Sequence, residues 1–105
     1  VTLSFSAGRI PIFDGCERYV KMGLIPGVSK LSKKYLKDAI RIDSRVREEL
    51  VDVLFDAQTS GGLLISLSEE KAEVICAKLK ERGVMAARIV GKVCERKDVS
   101  LIVTP

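Results

Sequence analysis

Leu63-Leu64-Ile65-Ser66-Leu67 is a short, mostly apolar run, and Ser68-Glu69-Glu70-Lys71-Ala72-Glu73-Val74-Ile75-Cys76-Ala77-Lys78-Leu79-Lys80-Glu81-Arg82-Gly83 comes directly after it. The run reads as an interior strand, because its apolar residues do not alternate with polar ones. Ser68 stands at the cap position of an amphipathic helix, with Ala72, Ile75, Cys76 and Leu79 on one face. Glu69 and Glu70 favour the positive end of that helix, Lys80 and Arg82 its negative end, and Gly83 terminates it. Val84 to Val93 then reads as a strand, with Gly91 at a bulge. Glu95-Arg96-Lys97-Asp98 has hairpin length, and Val99 to Val103 closes the pattern as a last strand.

Working back from this stretch, Val1 to Ser6 alternates apolar and polar residues and predicts a strand. Asp14, with Glu17 three residues later, has the spacing of a capping box for a short helix. Cys16, Tyr19 and Val20 share a face of that helix, and Gly23 stops it. Between Leu24 and Ile42 the periodicity fades. Pro26-Gly27 signals a turn, and Lys30, Lys33, Lys34, Lys37 and Arg41 make the stretch basic. It reads as a long ordered loop with room for one helical turn, and a loop of that length in a small domain is often functional. Asp43 or Ser44 caps the next helix, whose Val46, Leu50, Val53 and Leu54 have the spacing of a core-facing stripe. The order of elements predicts an α+β fold (an α/β sandwich): a mixed β-sheet with helices packed on it.

The chain has 105 residues, enough for one domain spanning 1–105. It contains no His, which excludes a His-ligated metal site, a Ser-His-Asp triad and a Cys-His dyad within it. Its three cysteines, Cys16, Cys76 and Cys94, are odd in number and widely spaced, so a disulfide framework is not expected. They read as buried structural thiols. A net charge of +4 is modest for a nucleic-acid binder, and much of it sits between Lys30 and Arg41. No run is long and apolar enough to predict a transmembrane helix. Val1-Thr2-Leu3-Ser4-Phe5 lacks the form of a signal peptide. A chain that opens on a strand pattern without an initiator Met reads as part of something longer, and a cytoplasmic location is expected.

The segment Asp56-Ala57-Gln58-Thr59-Ser60-Gly61-Gly62 carries more polar groups and glycines than a tight helix-to-strand connection needs. Adjacent glycines let backbone approach a ligand or a neighbouring domain and expose N–H groups to an anion. Gln58, Thr59 and Ser60 add donors and acceptors. Asp56 adds a carboxylate able to orient a donor or help hold a divalent cation. A capped turn, with glycines relieving crowding at the sheet, explains the same residues equally well. The segment matches neither the P-loop, since no Lys comes after the glycines, nor the dinucleotide fingerprint.

Asp56-Ala57-Gln58-Thr59-Ser60-Gly61-Gly62-Leu63-Leu64 closely resembles the D-P-Q-T-S-G-G-L-L signature of selenophosphate synthetase (selenide, water dikinase). Ile10-Pro11 with Asp14-Gly15, and Met22-Gly23-Leu24-Ile25-Pro26-Gly27, resemble two further segments of that family. Glu69 to Gly83 and Ala86 to Val93 resemble its closing helix and strand. Two departures stand out: Ala57 replaces the usual Pro, and Gly27-Val28-Ser29-Lys30-Leu31-Ser32 stands where many members have Gly-Gly-Thr and then an Asn. The resemblance implies a fold similar to the C-terminal domain of aminoimidazole ribonucleotide synthetase. It implies that the chain is the later part of the C-terminal domain of a two-domain enzyme, with the N-terminal domain of the same polypeptide as its partner.

The implied activity of the whole enzyme converts ATP, selenide and water into selenophosphate, phosphate and AMP, with ATP and Mg²⁺ as its cofactors and a homodimer as its assembly. This chain alone is expected to be inactive and to bind neither cofactor tightly. It holds no catalytic or metal residue of the family. Asp56, Gln58, Thr59, Ser60, Gly61 and Gly62 are expected to line the substrate cleft between the domains, and no nucleic-acid or membrane partner is expected. Another ATP-using enzyme of the same superfamily, such as a hydrogenase-maturation protein or thiamine monophosphate kinase, is the nearest alternative, although a different motif is expected there at 58–62. A free-standing module binding RNA through its basic stretch is a further alternative. Five aromatics, with no aromatic-rich strand for base stacking, argue against it.

Overall fold

In the computed structural model, which describes residues 1–105, the chain builds a four-stranded sheet of order β2-β4-β1-β3. The strands are β1 (Thr2–Ser6), β2 (Ile40–Ile42), β3 (Gly91–Cys94) and β4 (Leu101–Thr104). β4 runs parallel to β1 and to β2, whereas β3 runs antiparallel to β1. The expected mixed sheet with helices is therefore present. The helices are α1 (Cys16–Lys21), α2 (Gly27–Leu36), α3 (Glu48–Leu54) and α4 (Glu69–Glu81), with a 3₁₀ turn at Ala7–Arg9.

Register explains why one face of the sheet is the core face. Leu3, Leu101 and Ile40 lie in one row, and Phe5, Val103 and Ile42 in the next but one. Side chains two apart on a strand share a face, so the two rows form one apolar surface. Val46, Leu50 and Ala7 are buried with Val103, and Ile40, Ile42, Val51, Leu54 and Leu101 pack around them. The intervening row, Ser4, Ile102 and Arg41, points to the other, more polar face. Thr2 is 0% exposed. Its hydroxyl donates to the Val99 carbonyl (2.7 Å) and accepts from the Lys97 N–H (2.9 Å), which ties the β3–β4 turn to the sheet.

Gly91 explains itself here: it sits opposite Phe5, and a Cβ on it would lie 2.2 Å from the Ser4 carbonyl oxygen. It therefore marks close strand approach, as glycines in strands often do, and it opens β3. β3 is shorter than the predicted Val84–Val93 strand, because residues 84–90 belong to no strand.

Several expectations are corrected. The stretch from Leu24 to Ile42 is not a long loop: it holds the ten-residue α2 and then β2. Its inward residues, Ser29, Ser32, Lys33 and Leu36, fall at helical spacing, yet three of the four are polar. Val28, Leu31 and Tyr35 face outward instead, so apolar periodicity is blind to this helix. The capping box at Asp14 does not form. Gly15, at φ 86°, is the N-cap of α1 and no side chain bonds there; Glu17 instead accepts from Arg47 on the chain before α3, one arm of the fork at 2.8 Å. Asp43 caps no helix: it accepts the Arg45 N–H at 2.9 Å in a local turn, and α3 begins later, at Glu48. Ser68 occupies the N-cap of α4 without a side-chain bond. The three cysteines are free and half-buried rather than buried.

The largest departure is at Leu63–Leu67, which forms no strand. Leu63 is 91% exposed, and Leu64, Ile65 and Leu67 are exposed as well. An apolar run becomes a strand only when a neighbouring edge accepts its backbone, and no strand flanks this one. The expected apolar stripe of α4 (Ala72, Ile75, Cys76, Leu79) is its more covered face, but α4 buries no residue.

Candidate functional site

Two well-separated stretches of the sequence, 16–26 and 52–56, meet around one depression. A depression of about 200 Å³ is walled by α1 (Cys16, Tyr19, Val20), the turn Leu24-Ile25-Pro26 and the end of α3 (Asp52, Val53), with Asp56 at its margin. α1 is pinned to α3 by Glu17 with Arg47 and by Lys21 with Glu49 at 3.6 Å. Gly23, at φ 82°, takes the left-handed conformation that ends α1, so the chain reverses into that turn.

Asp56 is held where α3 ends, its N–H donating to the Val53 carbonyl at 3.0 Å. One carboxylate oxygen accepts from the Gln58 side-chain amide. The other, Oδ1, is buried and has no partner. A buried acceptor left unpaired is costly, so it marks a place where a donor is wanted. Beside it, Lys33 of α2 pairs with Asp52, and its ammonium lies 5.8 Å from the centre of the Phe55 ring. Lys33 thus fastens α2 to α3, and Arg41 pairs with Asp98. Of the basic stretch read as a loop, Lys30, Lys34 and Lys37 are exposed.

Past Asp56 the remaining predicted residues, Gln58, Thr59, Ser60, Gly61 and Gly62, are all exposed. Residues 57–67 make no backbone hydrogen bond. Neither Gly61 nor Gly62 has a positive φ, and a Cβ on either would meet nothing within 4 Å. The fold therefore does not demand these glycines, unlike Gly91, and the crowding explanation for them fails. Sequence reading missed Asp52, Lys33 and the α1 wall. Asp52 stands four residues before Asp56, and although Asp56 lies just beyond the end of α3 both line the depression; that near-helical spacing was the available signal.

Residues 22–104 match the family described as AIR synthase related protein, C-terminal domain. The chain belongs to that family. The match runs from the turn before α2 to the end of β4 and leaves β1 outside it. Curated relatives agree with the resemblance read from the sequence. The chain is 44% identical over 103 residues to selenide, water dikinase of Caldanaerobacter subterraneus subsp. tengcongensis, covering 98% of this chain and 30% of that protein. It is 40% identical to selenide, water dikinase 2 of Peptoclostridium acidaminophilum, with 98% and 29% covered. For selenide, water dikinase of Clostridium botulinum the identity is 39%, with 97% and 29% covered. The chain thus spans about 30% of the length of the curated relatives it matches. No helix is long and apolar enough to cross a membrane.

Proposed function

We propose that this chain is the later part of the C-terminal domain of a selenide, water dikinase, and that Asp56–Gly62 forms one wall of its substrate cleft. The observation that carries the reading is the mismatch at Gly61 and Gly62. They stand in a motif shared in form with that family, yet nothing within the domain requires them. Gly8 and Gly27 share that open setting, so it is the motif around Gly61 and Gly62 that singles these two out, and glycines there leave room for a body that approaches from outside: a substrate, or the N-terminal domain of the same polypeptide.

In the whole enzyme two phosphoryl groups leave AMP, one onto selenide to give selenophosphate and one onto water to give phosphate. Catalysis of such transfers is mostly positioning and charge stabilisation. In that setting Gln58, Thr59 and Ser60 supply neutral donors and acceptors to position substrate, and the unpaired Asp56 oxygen orients a donor. The exposed N–H groups of 57–62 suit an anion. A divalent cation would offset the phosphoryl charge. No three Asp, Glu or Cys side chains of this chain converge on one point, and in this reading the cation is held chiefly by the substrate phosphates and by other parts of the enzyme. The domain-level role is thus a wall, without a nucleophile or base of its own.

The test is Gly61→Ala and Gly62→Ala in the full-length protein. Stability should stay within about 0.5 kcal/mol, because each methyl enters open space. Selenophosphate formation should fall at least tenfold. Turnover equal to that of the unaltered protein would contradict the cleft assignment.

A further inference from the structure

The depression between α1 and α3 has apolar walls and one unmet polar group. Tyr19, Val20, Leu24, Ile25, Pro26 and Val53 make up most of the lining. Tyr19 is 47% and Leu24 61% exposed, so an apolar body entering here has surface left to cover. At the margin, one oxygen of the Asp56 carboxylate accepts from Gln58, and Oδ1 is buried without a partner.

The charges around that oxygen do not balance. Asp52, the other acid of the lining, is already paired with Lys33. The cations carried by α1 and by the chain before α3 are engaged elsewhere: Lys21 pairs with Glu49, Arg47 pairs with Glu17, and Arg18 stacks on the Tyr19 ring, 5.2 Å from its centre. None of them bonds to Asp56. α3 also ends here, its last turn carries no basic residue, and the C-terminal end of a helix favours positive charge.

We infer that the depression takes a primary ammonium group on a short alkyl stem, with the ammonium on Asp56 Oδ1 and the stem along Leu24, Ile25 and Val53. Size and stereochemistry select this class. The volume is about 200 Å³. That lies below the roughly 300–1,000 Å³ of pockets that enclose drug-sized ligands, so the occupant has the dimensions of a side chain. Only one carboxylate oxygen is free, which suits an ammonium; a guanidinium fork takes both. A bare cation would leave the apolar walls uncovered. The same chemistry has two sources, a lysine of the rest of the polypeptide and a free aliphatic amine. The inference rests on the reading of Asp56 as a residue that orients a donor, and it names that donor. Binding is read without ATP or selenide, so loss of the amine site and loss of the selenide reaction are separate results.

The experiment is methyl NMR on the full-length protein, labelled at Val, Leu and Ile, titrated with n-butylammonium and separately with n-butanol at equal ionic strength. With a free amine as the source, the methyls of Val20, Leu24, Ile25 and Val53 shift and saturate with n-butylammonium. The midpoint lies about tenfold or more below that for n-butanol, the difference expected of a hydrogen bond between charged groups, and Asp56→Ala abolishes the preference. With a lysine of the polypeptide as the source, these methyls ignore the added amine and show NOEs to lysine ε-protons, which D56A removes. Methyls with neither shifts nor lysine NOEs overturn the inference. So does an equal response to n-butanol and n-butylammonium, and so does an amine preference or a lysine contact that survives D56A.

Discussion

Single residues show most clearly where the sequence speaks and where it is silent. Gly91 was legible as a special position in a strand, but only the register reveals that its missing Cβ faces the Ser4 carbonyl at 2.2 Å. Gly91→Ala should therefore cost about 1–3 kcal/mol, the range for overpacking, read as a lower urea midpoint. Asp52 illustrates the opposite case. Its pairing with Lys33 crosses from α3 to α2, and nothing in a one-dimensional pattern links the two. With side chains 14% and 29% exposed, the pair lies between surface and buried ion pairs. Asp52→Ala should cost about 1–2 kcal/mol in the same measurement.

Asp43 carries a pH signature. Its hydrogen bonds from Arg45, side chain first and then backbone, lower its pKa from 3.8 to about 2. A carboxyl with a depressed folded pKa contributes stability that is present above the unfolded value and lost as pH falls through the folded one. The loss should fall between pH 3.8 and about 2. Asp43→Asn should flatten that part of an acid titration of stability. An unchanged acid limb would show that Arg45 does not hold the carboxylate.

At the scale of elements, legibility tracked the chemistry of the buried face. β1, α3 and α4 bury or half-cover apolar residues at regular spacing, and the sequence predicts all three. α2 could not be read this way, because it turns Ser29, Ser32 and Lys33 inward and Val28, Leu31 and Tyr35 outward. Its inward face is bound by the Lys33–Asp52 ion pair, which leaves no apolar rhythm. Leu63–Leu67 failed for another reason: strand pairing is non-local, and an apolar run names no partner. α3 rests on Leu50, which is 8% exposed in a small core. Leu50→Ala should cost about 2–5 kcal/mol by denaturant unfolding and loosen α3 from the sheet first.

For the molecule as a whole, the sequence carried the motif Asp56–Gly62 and the structure supplied its setting. It placed Asp56 at the margin of a depression shared by α1, the Pro26 turn and α3, with one carboxylate oxygen unpaired. Gly15, Gly23 and Gly83 have the positive φ that favours glycine, whereas Gly61 and Gly62, like Gly8 and Gly27, have neither a positive φ nor a neighbour within 4 Å. The sequence marks Gly23 and Gly83 as helix ends, and the structure adds their left-handed backbone. The most direct test of the proposed function is phosphorus NMR on the full-length protein given ATP, Mg²⁺ and selenide under reducing conditions. The account predicts a selenophosphate signal that appears with AMP and only when selenide is present. ATP consumption that is indifferent to selenide, with no selenophosphate signal, would contradict it.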